Sequence, residues 1–167
     1  MKTSTAIVAF VMTLTMASAA TATEVASSPT TAADLDALGR VIARDKCARP
    51  KKVVVKQVPN RYENVTDEIK TYFCSGYRVV VYEAHASNVV RELPMEVTLT
   101  RSIPGLPPNL SIGRKVGDVR AMLGTPYSES ETELVYSLSD ERPGEDTITF
   151  RLKAGRIDGV IWSWNVD

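Results

Sequence analysis

The sequence predicts an α+β protein, with short helices packed on one face of antiparallel sheet in two helix-plus-three-strand halves that read as a degenerate duplication. Three observations carry that expectation. Residues 116–123, VGDVRAML, place apolar side chains at Val116, Val119, Met122 and Leu123, then meet Gly124 and Pro126. That is a helix closed by glycine, with a proline just past its end. Two turns of helix are marginal alone in water, so this one needs a surface to dock on. The last two strand candidates provide it. Ile148, Phe150 and Leu152 alternate with Thr147, Thr149, Arg151 and Lys153, and Val160, Trp162, Trp164 and Val166 alternate with Ile161, Ser163 and Asn165. Period-two alternation gives each strand one apolar and one mostly polar face, hence a sheet covered on one side. The helix is expected to cover it through Val119, Met122 and Leu123, with both tryptophans beneath.

The remaining elements follow in chain order. Residues 1–22 read as a secretory signal peptide: Lys2, the apolar run 6–12, then Ala17-Ser18-Ala19 and Ala20-Thr21-Ala22 as small-x-small cleavage patterns. The apolar run is too short and too rich in threonine to span a membrane. No cysteine stands at the cleavage site, so no lipid anchor is expected. Residues 23–31 form a flexible lead-in rich in Ser, Thr and Ala.

The first α+β half, 32–102, opens with a helix over 34–44, carrying Leu35, Leu38, Val41 and Ile42 on one stripe. Strands are expected at 52–58, 69–83 and 92–101, with Ser75-Gly76 as a tight turn or a bulge. A connector at 103–112 begins with IPGLPPN, which continues neither helix nor strand. The second half, 113–167, holds the helix 116–123 and strands at 133–139, 146–153 and 156–166. The last two meet at Ala154-Gly155, a hairpin signal.

Composition narrows the partner class. The chain has 20 basic and 20 acidic residues; without Lys2 the count is 19 against 20, a net charge of −1. That balance argues against nucleic acid as a partner. No second long apolar stretch follows the signal peptide, so no membrane span is expected. Cys47 and Cys74 both lie in the exported part, 27 residues apart. In an oxidising compartment such a pair is expected to be bridged. No C-x-x-C motif points to redox chemistry.

IGRKVGDVRAMLGTP, then LVYSL, then TITFRLKAGRIDGVIW resembles the SmpA/OmlA (BamE)-like small exported domain. Gly113, Val119, Leu123, Gly124, Pro126, Tyr136, Phe150, Gly155 and Val160 carry the likeness. A doubled unit of this kind resembles the β-lactamase-inhibitor-protein architecture, which implies that the open face of the sheet binds an enzyme. TYFCSGYRVVVYEA, residues 71–84, separately resembles the MliC-like lysozyme inhibitors in its Cys-bearing strand, glycine and second strand.

No residue set for catalysis stands out. A serine nucleophile needs a base and a metal hydrolase needs clustered ligands. His85 is the one histidine, expected in an exposed loop, AHASN. Asp140, Glu141, Glu145 and Asp146 fit no calcium-loop spacing. Neither a catalytic residue, a metal nor a cofactor is therefore expected. Lys46, Arg49, Lys51, Lys52 and Lys56 form a basic stretch, a solvated face or a contact for an acidic partner.

The functional expectation is a periplasmic protein-binding inhibitor, immunity-protein-like, that neutralises an exported hydrolase. An assembly or structural factor of the bacterial outer membrane is the alternative. The candidate partner contacts are Tyr127, Asp140, Glu141 and Arg142, since aromatic and arginine side chains anchor interfaces and a protruding loop can enter a cleft. The sequence leaves the identity of the partner and the oligomeric state open.

Overall fold

The computed structural model describes residues 31–60, 64–86 and 89–166. The expected signal peptide, 1–22, and most of the expected lead-in lie outside them. Among the described residues stand two α-helices, one short 3-10 helix and eight strands. The strands form one antiparallel sheet in the order β1-β2-β3-β4-β8-β7-β6-β5. The protein is mixed α+β, and mostly sheet.

Helix α1 (Ala32–Asp45) starts at Thr31, which the sequence assigns to the flexible lead-in. Thr31 instead caps the helix: its hydroxyl accepts from the Asp34 N–H at 3.1 Å, and the Asp34 carboxylate accepts from the Thr31 N–H at 2.9 Å. This reciprocal pair satisfies two backbone donors that have no partner inside the helix.

Four strands follow α1, not three: β1 (Lys52–Pro59), β2 (Thr66–Phe73), β3 (Tyr77–Ala86) and β4 (Val89–Leu99). The expected strand 69–83 is two strands, because Ser75-Gly76 makes a turn and Gly76 takes φ +92°. His85 is consequently not a loop residue; it stands near the end of β3, opposite Val90. Pro94 interrupts β4 at the register shift beside Val80 and Val81, where its missing N–H does least harm to the ladder. The Cys47–Cys74 disulfide ties the segment after α1 to the end of β2.

The connector 103–112 is not a bare linker. Leu106 and Leu110 are buried, and Ile103 and Ile112 pack against the core. Helix α2 (Val116–Leu123) has the expected bounds, and the Gly124 N–H closes it on the Arg120 carbonyl at 2.9 Å. A two-residue strand β5 (Ser128–Glu129), unforeseen in the sequence, precedes β6 (Glu133–Ser137), β7 (Thr147–Lys153) and β8 (Arg156–Ser163). Ala154 and Gly155 both take positive φ, +51° and +70°. That is the two-residue hairpin whose twist matches the strands it joins.

Strand β4 pairs with β8, with Val97 opposite Trp162 and Leu99 opposite Val160. This single pairing fuses the strands following each helix into one sheet. The core gathers along it: Val79, Val97, Trp162, Ile148 and Tyr136 are successive register partners, all buried. Leu35 and Ala43 of α1 and Val119 of α2 belong to the same cluster. The tryptophans are buried, and α1 meets them. The Trp162 indole N–H donates to the Leu35 carbonyl at 2.8 Å, and that of Trp164 to Asp36 at 2.7 Å.

Candidate functional site

The sheet register defines the face opposite the core residue by residue. Lys52, Phe73, Arg78, Thr98, Ile161, Thr149, Val135 and Ser128 are successive partners across all eight strands. Val54, Thr71, Val80, Glu96, Ser163, Thr147 and Ser137 form the next row. Seven strand spacings of about 4.8 Å make the first row about 34 Å long. The face is thus not simply polar. Phe73 and Val54 are exposed and Val80 and Ile161 half-buried. At its centre the Arg78 guanidinium donates to Glu96 and lies 3.4 Å from the Thr98 hydroxyl, which also donates to Glu96. Arg78 is thus held by a carboxylate among apolar and threonine side chains. The signal was present in YRVVVYE: Val80 and Tyr82 alternate with core residues Val79 and Val81, so both faces of β3 are apolar.

The structure brings the four candidate contact residues to one end of the molecule. Asp140, Glu141 and Arg142 lie in the β6–β7 hairpin loop, and Tyr127 packs against it. Tyr127, 59% exposed, lays its ring against Gly144: a Cβ there would sit 2.9 Å from the ring. Gly144 has φ +85°, so the loop turns tightly under the tyrosine because glycine costs nothing there. Tyr127 and Asp140 line a groove of about 360 Å³, with Leu35, Met122, Leu123 and Ile148 at its floor and walls. Asp140, Glu141 and Arg142 are exposed, and Arg142 pairs with Glu145 at 2.9 Å.

The base of this loop is fixed. Asp146 accepts from Arg40 at 3.2 Å and from the Asn165 N–H at 3.0 Å, while Ser137 accepts from the Gly144 N–H at 3.2 Å. Arg40 also pairs with Asp36 at 2.8 Å and lies over the Trp164 ring at 5.5 Å. A chain of charged groups therefore runs from the core tryptophan through α1 to the loop. Glu145 and Asp146 are turned to basic partners rather than to one another.

A second polar cluster surrounds Asp67, which is fully buried. Its carboxylate accepts the His85 backbone N–H at 2.8 Å, the Tyr82 hydroxyl, and the Asn60 amide at 2.9 Å. The His85 N–H, with the Tyr82 hydroxyl next, holds the carboxyl below its ordinary range. The His85 imidazole lies 3.3 Å from Glu83, which Lys70 engages at 2.7 Å. The Lys70 hydrogen bond lowers the Glu83 pKa, and Glu83 in return raises that of Lys70. These groups bind the ends of β2 and β3 together, a structural role.

No helix among the described residues is long and apolar enough to cross a membrane. Compared with protein-family models, with curated proteins and with solved structures, the chain matches none.

Proposed function

We propose that this protein is a periplasmic, protein-binding inhibitor that neutralises an exported hydrolase in the manner of an immunity protein. The observation that supports it most is the face opposite the core. It joins Arg78, Val80, Phe73 and Ile161 into one surface with hydrogen-bonding threonines between them. We read the order of helix and four strands, which occurs twice, as a doubled unit with both helices on the buried side. That arrangement leaves the other face to the partner, as the resemblance to inhibitor-type sheets implies. The loop 140–146 with Tyr127 extends the contact at the β5 end, where the exposed carboxylates of Asp140 and Glu141 pair with a basic cleft and speed association.

The test begins with capture of a hydrolase from native cell envelope, followed by assay of its activity with and without the protein. The expected result is stoichiometric inhibition. A chain with residues 140–146 replaced by Gly and Ser should keep its circular dichroism and weaken inhibition at least tenfold, about 1.4 kcal/mol. An Arg78→Ala variant should weaken it by a similar factor. Undiminished hydrolase activity at saturating protein overturns the reading. Defective outer-membrane assembly on deletion, with no hydrolase affected, points instead to an assembly factor.

A further inference from the structure

The outer edge of strand β1 carries a second interaction surface, which adjoins the open face at Lys52 and Val54 and is separate from the loop just described. All its residues but Val58 are exposed. Val53, Val54 and Val55 retain 43%, 37% and 50% of their accessible surface, on both faces of the strand. Among the described residues, the sheet order leaves the outer side of β1 unpaired. The Asn60 N–H donates to the Val65 carbonyl at 3.1 Å, continuing the β1–β2 register by one pair. Antiparallel alternation then turns the peptide groups of Val54, Lys56 and Val58 toward β2, and those of Val53, Val55 and Gln57 outward. A long apolar edge with free donors and acceptors is a template for another strand.

The charge on this edge selects what pairs with it. Arg49, Lys51, Lys52 and Lys56 accompany the strand, and no acidic residue occurs from Lys46 to Asn60. Among the described residues the ion pairs include Lys46 with Glu92 but none of those four. Lys52 and Lys56 stand on one face of β1, separated by Val54. A second copy pairing antiparallel about Val55 would set Lys56 against Val54 of its mate, with that copy's Lys52 and Lys56 diagonally adjacent. Like charges so placed oppose pairing. Carboxylates in the same positions attract.

We propose that β1 docks an extended, acidic segment of a partner protein, which adds a ninth strand to the sheet through the outward peptide groups of Val53, Val55 and Gln57. Main-chain hydrogen bonds would supply affinity, and the lysine pair would select for carboxylates at alternate positions. This surface lies at the opposite edge of the sheet from β5, and it does not depend on the partner being a hydrolase.

The test uses two octapeptides with the full chain, one alternating Glu and Val and the other alternating Lys and Val. Binding is followed by fluorescence anisotropy and by amide exchange. The acidic peptide is expected to bind at least tenfold more tightly than the basic one, to weaken with added salt, and to protect the amides of Val53, Val55 and Gln57. Val55→Pro, which removes one outward donor at an edge, should abolish binding. A Lys52→Glu, Lys56→Glu double variant, which alters no outward peptide group, should reverse the preference. Equal binding of both peptides, no binding at millimolar concentration, or protection confined to other strands overturns the proposal. So does a concentration-dependent dimer that protects the same amides, which would make a second copy the occupant.

Discussion

The indole N–H of Trp162 reaches the carbonyl of Leu35 at 2.8 Å, across 127 residues of chain. One bond between the last strand and the first helix thus closes the fold end to end. Trp162 is fully buried. Trp162→Ala should destabilise by about 3–5 kcal/mol, the usual cost of a large aromatic cavity. Trp162→Phe should cost about 1–3 kcal/mol, from the lost bond and a smaller void. Urea unfolding followed by circular dichroism measures both, and a silent Trp162→Phe would show that the bond contributes nothing.

Gly39 sits where α1 crosses that ring: a Cβ would lie 2.5 Å from Trp162 Cδ1. On a free helix surface Gly→Ala stabilises by about 1 kcal/mol. Here the collision should dominate, and Gly39→Ala should destabilise by about 1–3 kcal/mol. Gly117→Ala in α2 is the control, with nothing within 4 Å of its added methyl group. It should be neutral or stabilising. A shift of both urea midpoints in the same direction would contradict the packing described.

The Cys47–Cys74 bridge closes a 27-residue separation. The chain-entropy relation gives about 3.5 kcal/mol for such a loop. A Cys47→Ser, Cys74→Ser double variant should lose stability of that order. Thiol labelling of the unreduced protein should find neither cysteine reactive.

The buried carboxylate of Asp67 has its pKa lowered by the His85 N–H and then the Tyr82 hydroxyl. A folded-state value below the unfolded one stabilises the fold above about pH 4 and loses that contribution as pH falls through the folded value. Asp67→Asn should therefore destabilise most at pH 7, and its gap from the unaltered protein should shrink by pH 3. Urea midpoints at the two pH values decide it; an equal gap at both would remove the charged carboxylate from the account.

Some of this molecule is written in short windows of its sequence. The end of α2 at Gly124, the Ala154-Gly155 turn and the two-sided alternation of β7 and β8 depend only on local backbone preference and residue order. The candidate contacts Tyr127, Asp140, Glu141 and Arg142 were legible as exposed loop residues. The packing of Tyr127 on Gly144 of their loop was not, because it depends on how β6 and β7 are joined. Two-residue β5 carries no periodicity to detect. His85 looked like a loop residue because the window AHASN has no strand pattern, yet the pairing with β4 extends β3 through it.

Alternation along the chain assigns Trp162 in β8 and Trp164 just past its end to one apolar side, and a short window of sequence shows it. That α1 meets them is a long-range matter. Either amphipathic helix could cover an apolar strand face, and the indole hydrogen bonds to Leu35 and Asp36 join stretches of chain more than 120 residues apart, as the β4–β8 pairing does for the strands. Periodicity fixes which way a side chain points, whereas the neighbour it meets is set by long-range contacts among all the elements at once.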